Sequence, residues 1–179
     1  MKNVLMRSVL AGCLAVGLWG TYATEGRHAG SALDAEYFGG SGTLGYHQAE
    51  IGRSYWYAIP LSSNRSDEEV HITKAEILDV PAGIEVVEYR AFEIEENGAK
   101  PMFFMDGESG IRAVAGGVTV PAGDWSRRFY AARLQVTGKI RDDVVRCRYE
   151  YEKGGRTYTQ LLGCNLDLKV RGTVPARKG

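Results

Sequence analysis

From Val144 to Val170 the chain alternates between apolar and polar residues with a period of two, and this run limits the fold more than any other. Val145, Cys147, Tyr149 and Tyr151 alternate with Arg146, Arg148, Glu150 and Glu152. After Lys153-Gly154-Gly155-Arg156, one face carries Tyr158, Leu162, Cys164, Leu166, Leu168 and Val170, and the other Thr157, Thr159, Asn165, Asp167 and Lys169. Successive side chains of a strand point to opposite faces, so the pattern predicts an antiparallel hairpin with one buried face. A two-residue turn at Gly154-Gly155 sets Tyr151 opposite Tyr158, Cys147 opposite Leu162 and Val145 opposite Cys164. The cysteines then share the inward face but sit diagonally. A bulge or longer turn that shifts the register by two brings them opposite, within bonding reach. A Cys147–Cys164 disulfide is the prediction, worth about 3 kcal/mol in the chain-entropy account of a short loop.

Strand-like runs also fill the chain ahead of the hairpin: Tyr55 to Ile59, Val70 to Val80, Ile84 to Ile94, Pro101 to Met105, Ile111 to Ala115, Val118 to Val120 and Phe129 to Val136. Turn residues separate them, among them Ser62-Ser63-Asn64, Asn97-Gly98 and Gly116-Gly117. Val80-Pro81-Ala82-Gly83 recurs as Val120-Pro121-Ala122-Gly123. Because the flanking residues differ, this is one turn chemistry used twice, with proline expected at the second turn position and glycine at the fourth. No helical period follows residue 24, and the fold class is all-β, a sandwich or barrel.

The N-terminus has a different character. Lys2 and Arg7 precede an uncharged run from Ser8 to Thr24, the arrangement that export machinery reads. As a hydrophobic helix this run spans about 25 Å, short of the roughly 30 Å hydrocarbon core. Trp19 and Tyr22 stand where an interfacial aromatic belt would extend it. Residues 1–24 are read as a cleaved signal peptide or a retained transmembrane anchor. A third reading comes from Leu10-Ala11-Gly12-Cys13, similar to the bacterial lipobox that directs lipid to the cysteine, here Cys13. Against it, Arg7 leaves few apolar residues ahead of Cys13 and the apolar run continues beyond.

Lys and Arg number 22, as do Asp and Glu, and without Lys2 and Arg7 the remainder is slightly acidic. Nothing here makes the basic stripe that nucleic acid requires. With Cys13 in the export segment, Cys147 and Cys164 remain as an even pair, which suits an oxidising compartment. Residues 25–45 hold Gly39-Gly40-Ser41-Gly42 and are expected as a Gly/Ser-rich tether, with a short strand near Leu33 to Phe38. Residues 46–172 form one domain, and 173–179 a basic tail.

Three features of that domain, Tyr57-Ala58-Ile59-Pro60-Leu61-Ser62-Ser63-Asn64, Val120-Pro121-Ala122-Gly123 before a late strand, and the terminal hairpin, make it similar to bacterial extracellular immunoglobulin-like modules. The resemblance covers roughly residues 46 to 172 and implies an immunoglobulin-like antiparallel β-sandwich. The Cys…Trp…Cys order of antibody domains is missing, since Trp56 precedes both cysteines. Such modules serve as spacers, adhesins, receptors and accessory domains, so the resemblance implies no active site.

Residue types that carry chemistry are scattered. His28, His47 and His71 have no partner at metal-ligand spacing and are expected as surface or structural residues. Asp106-Gly107-Glu108-Ser109-Gly110 faintly resembles a protease nucleophile loop, but is expected as a polar turn whose Asp106 and Glu108 are too few for calcium. Acidic groups at Asp67, Glu68 and Glu69 and at Glu93, Glu95 and Glu96 read as solvated strand ends. The hairpin tyrosines are expected in the core. Asn64-Arg65-Ser66 is a glycosylation sequon. The resulting expectation is an exported or membrane-anchored, non-enzymatic envelope protein that binds or supports an envelope protein or glycan, with no cofactor. The alternative is a small hydrolase or accessory domain using Ser109, with His71 as its base.

Overall fold

The computed structural model describes residues 27–35, 43–60, 62–95, 102–106 and 110–172. Residues 1–24 with Cys13, Gly39 to Gly42, the Asn97-Gly98 turn, Ser109 and the tail 173–179 lie outside the described residues. The strands in chain order are β1 (His28–Ala29), β2 (Leu33–Ala35), β3 (Leu44–Ala49), β4 (Ser54–Ala58), β5 (Ser62–Asn64), β6 (Val70–Leu78), β7 (Ile84–Ile94), β8 (Phe103–Phe104), β9 (Ile111–Val114), β10 (Val118–Val120), β11 (Arg128–Val136), β12 (Val144–Lys153) and β13 (Arg156–Val170). The protein is all-β, and no helix occurs among the described residues.

Two sheets face each other across one core. The first runs β13-β12-β6-β10, with β1 and β3 both pairing parallel to β13. The second runs β8-β4-β11-β7-β9, and β2 pairs with β5 in a small ribbon. Tyr55 and Tyr57 of β4 and Leu134 and Val136 of β11 meet Val70, Ile72, Tyr149, Leu166 and Leu168 of the opposite sheet. The five-stranded sheet is apolar on its outer face as well, where Trp56, Phe92, Phe104 and Phe129 pack together. By contrast, the outer face of the first sheet is charged, with Glu76 held between Lys74 and Arg148.

The terminal hairpin follows its predicted register over most of its length. Lys153 faces Arg156, Tyr151 faces Tyr158 and Cys147 faces Leu162. Gly154 and Gly155 both have positive φ, 55° and 72°, as a two-residue hairpin turn requires. The expected route to the disulfide needs correction. Val144 faces Leu166 and Arg146 faces Gly163, so Val145 opposes both Cys164 and Asn165 in a one-residue bulge. Asn165 takes the extra turn at φ 44°, a conformation asparagine tolerates better than most residues. The bulge leaves Cys147 and Cys164 diagonal yet bonded, with Cα atoms 5.6 Å apart. It also reverses the phase at the start of β12: Val144 is buried, and Val145, expected inward, is 50% exposed.

Bulges orphan backbone groups, and tyrosines from the facing sheet satisfy them. Tyr57 of β4 donates its hydroxyl to the Cys164 carbonyl at the hairpin bulge. In β6, Glu150 pairs with Lys74 and Tyr151 with Ile72, leaving Thr73 as the extra residue. Tyr130 of β11 donates to the Thr73 carbonyl at 3.0 Å. The Ile77 amide donates to the Tyr89 hydroxyl at 3.0 Å, and Tyr149 donates to the Pro60 carbonyl at 2.7 Å. A buried carbonyl without a partner costs about 1–3 kcal/mol, so these phenols brace the sandwich as well as fill it.

The recurrent Val-Pro-Ala-Gly tetrapeptides form matching turns, one residue out of the expected frame. The Ile84 amide donates to Pro81 and the Asp124 amide to Pro121, placing proline first and glycine third. Gly83 and Gly123 accordingly have φ of 90° and 67°, as the third position of a type II turn demands.

Candidate functional site

Residues 27–35, expected as part of the tether, instead run along the sandwich as a strap built from β1 and β2. Gly30 donates to the Thr159 carbonyl at 2.8 Å, and the Ala32 carbonyl accepts from the Arg65 amide at 2.8 Å. Gln160 clasps Leu33 from both sides, accepting its amide at 3.0 Å and donating to its carbonyl at 2.5 Å. The Ala32 amide donates to the Tyr151 hydroxyl at 3.1 Å. Arg27 pairs with Glu150 at 2.8 Å, and Arg65 pairs with Asp34. Gly30 is there for space: a Cβ would stand 2.8 Å from Cζ of Tyr151.

Where the strap crosses the hairpin tip it leaves a cleft of about 250 Å³. The strap supplies Ala29, Ser31 and Ala32, the loop after β5 supplies Arg65 and Ser66, and the hairpin supplies Tyr151, Lys153 and Tyr158. The Tyr151 and Tyr158 rings stack at 5.4 Å, and His28 closes on Tyr158 at 5.6 Å. Tyr158 is thereby held by a ring on either side. Its edge and hydroxyl, the Lys153 ammonium and the Ser31 hydroxyl line the cleft without a side-chain partner among the described residues.

Asn64 anchors the loop that carries Arg65. Its side-chain nitrogen donates to the Glu68 carbonyl at 2.7 Å and the Val120 carbonyl at 3.2 Å. Its oxygen accepts the Ser66 amide at 2.9 Å and the Ser66 hydroxyl at 2.7 Å. Only 1% of Asn64 is exposed. The sequon is therefore a structural turn, and a glycan on that nitrogen is incompatible with this fold.

The other sequence candidates are dispersed. His47 bonds Asp167 at 2.8 Å on the β3–β13 seam, and His71 approaches the Thr119 hydroxyl at 3.2 Å on the outer face. His28 lies on β1, so all three histidines lie on the six-stranded sheet, His28 and His71 separated by β13 and β12 and His47 near the far end of β13. Among the described residues no three His, Cys, Asp or Glu groups converge as a metal site. Ser109 and Glu108 lie outside the described residues, whereas Asp106 accepts from the Trp56 indole at 2.6 Å and pairs with Arg133 at 3.2 Å. Arg90 lies 5.3 Å over the same Trp56 ring, which is 2% exposed and so is a structural pillar.

One of the acidic groups, Glu93, is likewise tied into the framework. Glu93 is bound by Arg128 at 3.2 Å and by Arg112. The Arg128 hydrogen bond, with Arg112 alongside, holds its carboxyl below the usual range. Burial works against the charge of Asp167, but hydrogen bonds from Lys169 and His47 outweigh it and lower its pKa. Glu76 is lowered in the same way, with Lys74 and Arg148 overcoming burial.

Sequence reasoning missed the cleft residues Ser31, Arg65, Lys153 and Tyr158 as a set. Lys153 flanks the Gly154-Gly155 turn, and Arg65 sits inside the sequon, so each reads locally as turn chemistry. Compared with models of known families and with curated proteins, the chain matches none.

Proposed function

We propose that this chain is an exported or membrane-anchored envelope protein whose domain is an immunoglobulin-like sandwich that acts by binding. The cleft between strap and hairpin carries this reading, because it gathers cationic and hydroxyl groups at one end of a braced scaffold. The immunoglobulin-like assignment is supported by strand order. β4-β11-β7 corresponds to strands B-E-D, and β6-β12-β13 to C-F-G, with a parallel first strand added to the last. The disulfide lies within one sheet and departs from the antibody pattern, in which it joins two. Export is supported by the basic-then-apolar N-terminus and by a bonded cysteine pair, which oxidising compartments preserve.

The test is protease accessibility and thiol mapping in cells producing the full chain, followed by crosslinking in intact envelopes. An extracytoplasmic domain with oxidised Cys147 and Cys164, crosslinked through the strap or hairpin tip to an envelope component, is the expected result. A cytoplasmic domain with free thiols overturns the export reading. Crosslinks that join only copies of the chain overturn the binding reading in favour of a structural one.

A further inference from the structure

We propose that the cleft between strap and hairpin binds a small polar monocarboxylate, and that binding locks the strap onto the sandwich. The inference rests on the binding reading above and specifies its ligand. Two cations, Arg65 and Lys153, line the cleft. Asp34 pairs with Arg65 from outside the lining, whereas Lys153 has no ion-pair partner among the described residues. Of the nearby carboxylates, Glu150 is paired with Arg27, and Glu68 stands against Gly154, at the turn beside Lys153 and outside the cleft lining. Lys153 is thus the lining cation left to meet a ligand, and one ammonium matches one negative charge.

The hydrogen-bonding inventory agrees. Lys153 offers only donors, and the Tyr158 and Ser31 hydroxyls add two more. A carboxylate accepts up to four hydrogen bonds and strengthens those from an ammonium. A phosphate dianion would leave a charge uncompensated. The cleft, about 250 Å³, lies under the roughly 300–1,000 Å³ of sites for drug-sized ligands. It suits a fragment such as one sugar acid or one acylated amino acid. Both rings flanking Tyr158 are in place, so the ligand meets its edge and hydroxyl rather than its face.

The coupling follows from who builds the cleft. Ser31 comes from the strap, whereas Lys153 and Tyr158 come from the hairpin, so a ligand touching both bridges the seam. A ligand that binds only the docked state stabilises docking by mass action.

The experiment uses the full chain, titrated with D-glucuronate and N-acetylglycinate and followed by amide shifts and hydrogen exchange, with D-glucose and inorganic phosphate as contrasts. Saturable shifts at Ser31, Lys153 and Tyr158 are expected, with Kd of order 1–10 mM for a ligand this small, together with slower exchange at Gly30 and Ala32. Both carboxylates acting alike assigns the site to the carboxylate alone, while a preference names the rest of the ligand. K153A should weaken binding about tenfold and Y158F about threefold, while K139A, at the opposite end of the sandwich, should leave it unchanged. The proposal is overturned if phosphate or glucose gives the same shifts, if no carboxylate saturates them, or if K153A binds like the parent. Failure here, with envelope crosslinks at the strap intact, removes the ligand class and leaves the binding reading standing.

Discussion

In the hairpin β12–β13 the contacts are close in sequence, the turn is two glycines, and a disulfide ties the strands together. In the strap every hold reaches across more than twenty-five residues, through the short β2–β5 ladder and hydrogen bonds to Tyr151, Thr159, Gln160 and Arg65. Both regions wall the same cleft. Stability is seldom uniform across a domain, and segments with few buried apolar contacts open first. The strap buries Ala32 and Leu33 as its apolar anchors, while the hairpin contributes Val144, Cys147, Tyr149, Tyr151, Cys164, Leu166 and Leu168 to the core. A rigid wall facing a detachable one lets a ligand reward closure, which two rigid walls would not.

Four perturbations sharpen that contrast. Cys147→Ala with Cys164→Ala acts on the hairpin and should cost the whole domain about 3 kcal/mol, read as a lower urea midpoint with an unchanged slope. Tyr57→Phe removes the hydroxyl's bond to the buried Cys164 carbonyl and should cost about 1–3 kcal/mol by the same measurement. Gly30→Ala drives a Cβ into the Tyr151 ring and should release the strap while lowering global stability by less than about 1 kcal/mol. Amide exchange confined to residues 29–35 and Arg65 would show it.

The smallest expected effect is that of pH. Glu76 and Asp167 have folded pKa values below their unfolded ones. Their contribution is therefore present above the ordinary carboxylate value, about 4, and is lost as pH falls through the folded values. Urea midpoints should decline below that pH, and Asp167→Asn, which removes one such group from the β3–β13 seam, should flatten the decline.

The same contrast explains what was legible in advance. Period-two alternation and glycine turns are local signals, so β7, β10 and β12–β13 appear in the sequence nearly as they stand in the fold. The place of the hairpin bulge was not legible, because Asn165 follows the polar alternation and the extra residue shows only in the register break and its positive φ. β3 was hidden because Gly45 interrupts Leu44 and Tyr46, and its partner lies more than a hundred residues away. For the strap, Gly30, Ser31 and Ala32 resemble linker composition. Their role depends on Tyr151 and Gln160, which no local window contains. The cleft inherits that opacity, since its residues come from three separate segments.

Native-state hydrogen exchange across increasing urea sets the two walls side by side, because it reads the opening free energy of each in one sample. Amides of Gly30, Ala32 and Leu33 should exchange through a local opening well below the global unfolding free energy, and those of Cys147, Tyr149 and Leu162 only through global unfolding. A single shared opening energy for both walls would contradict the account.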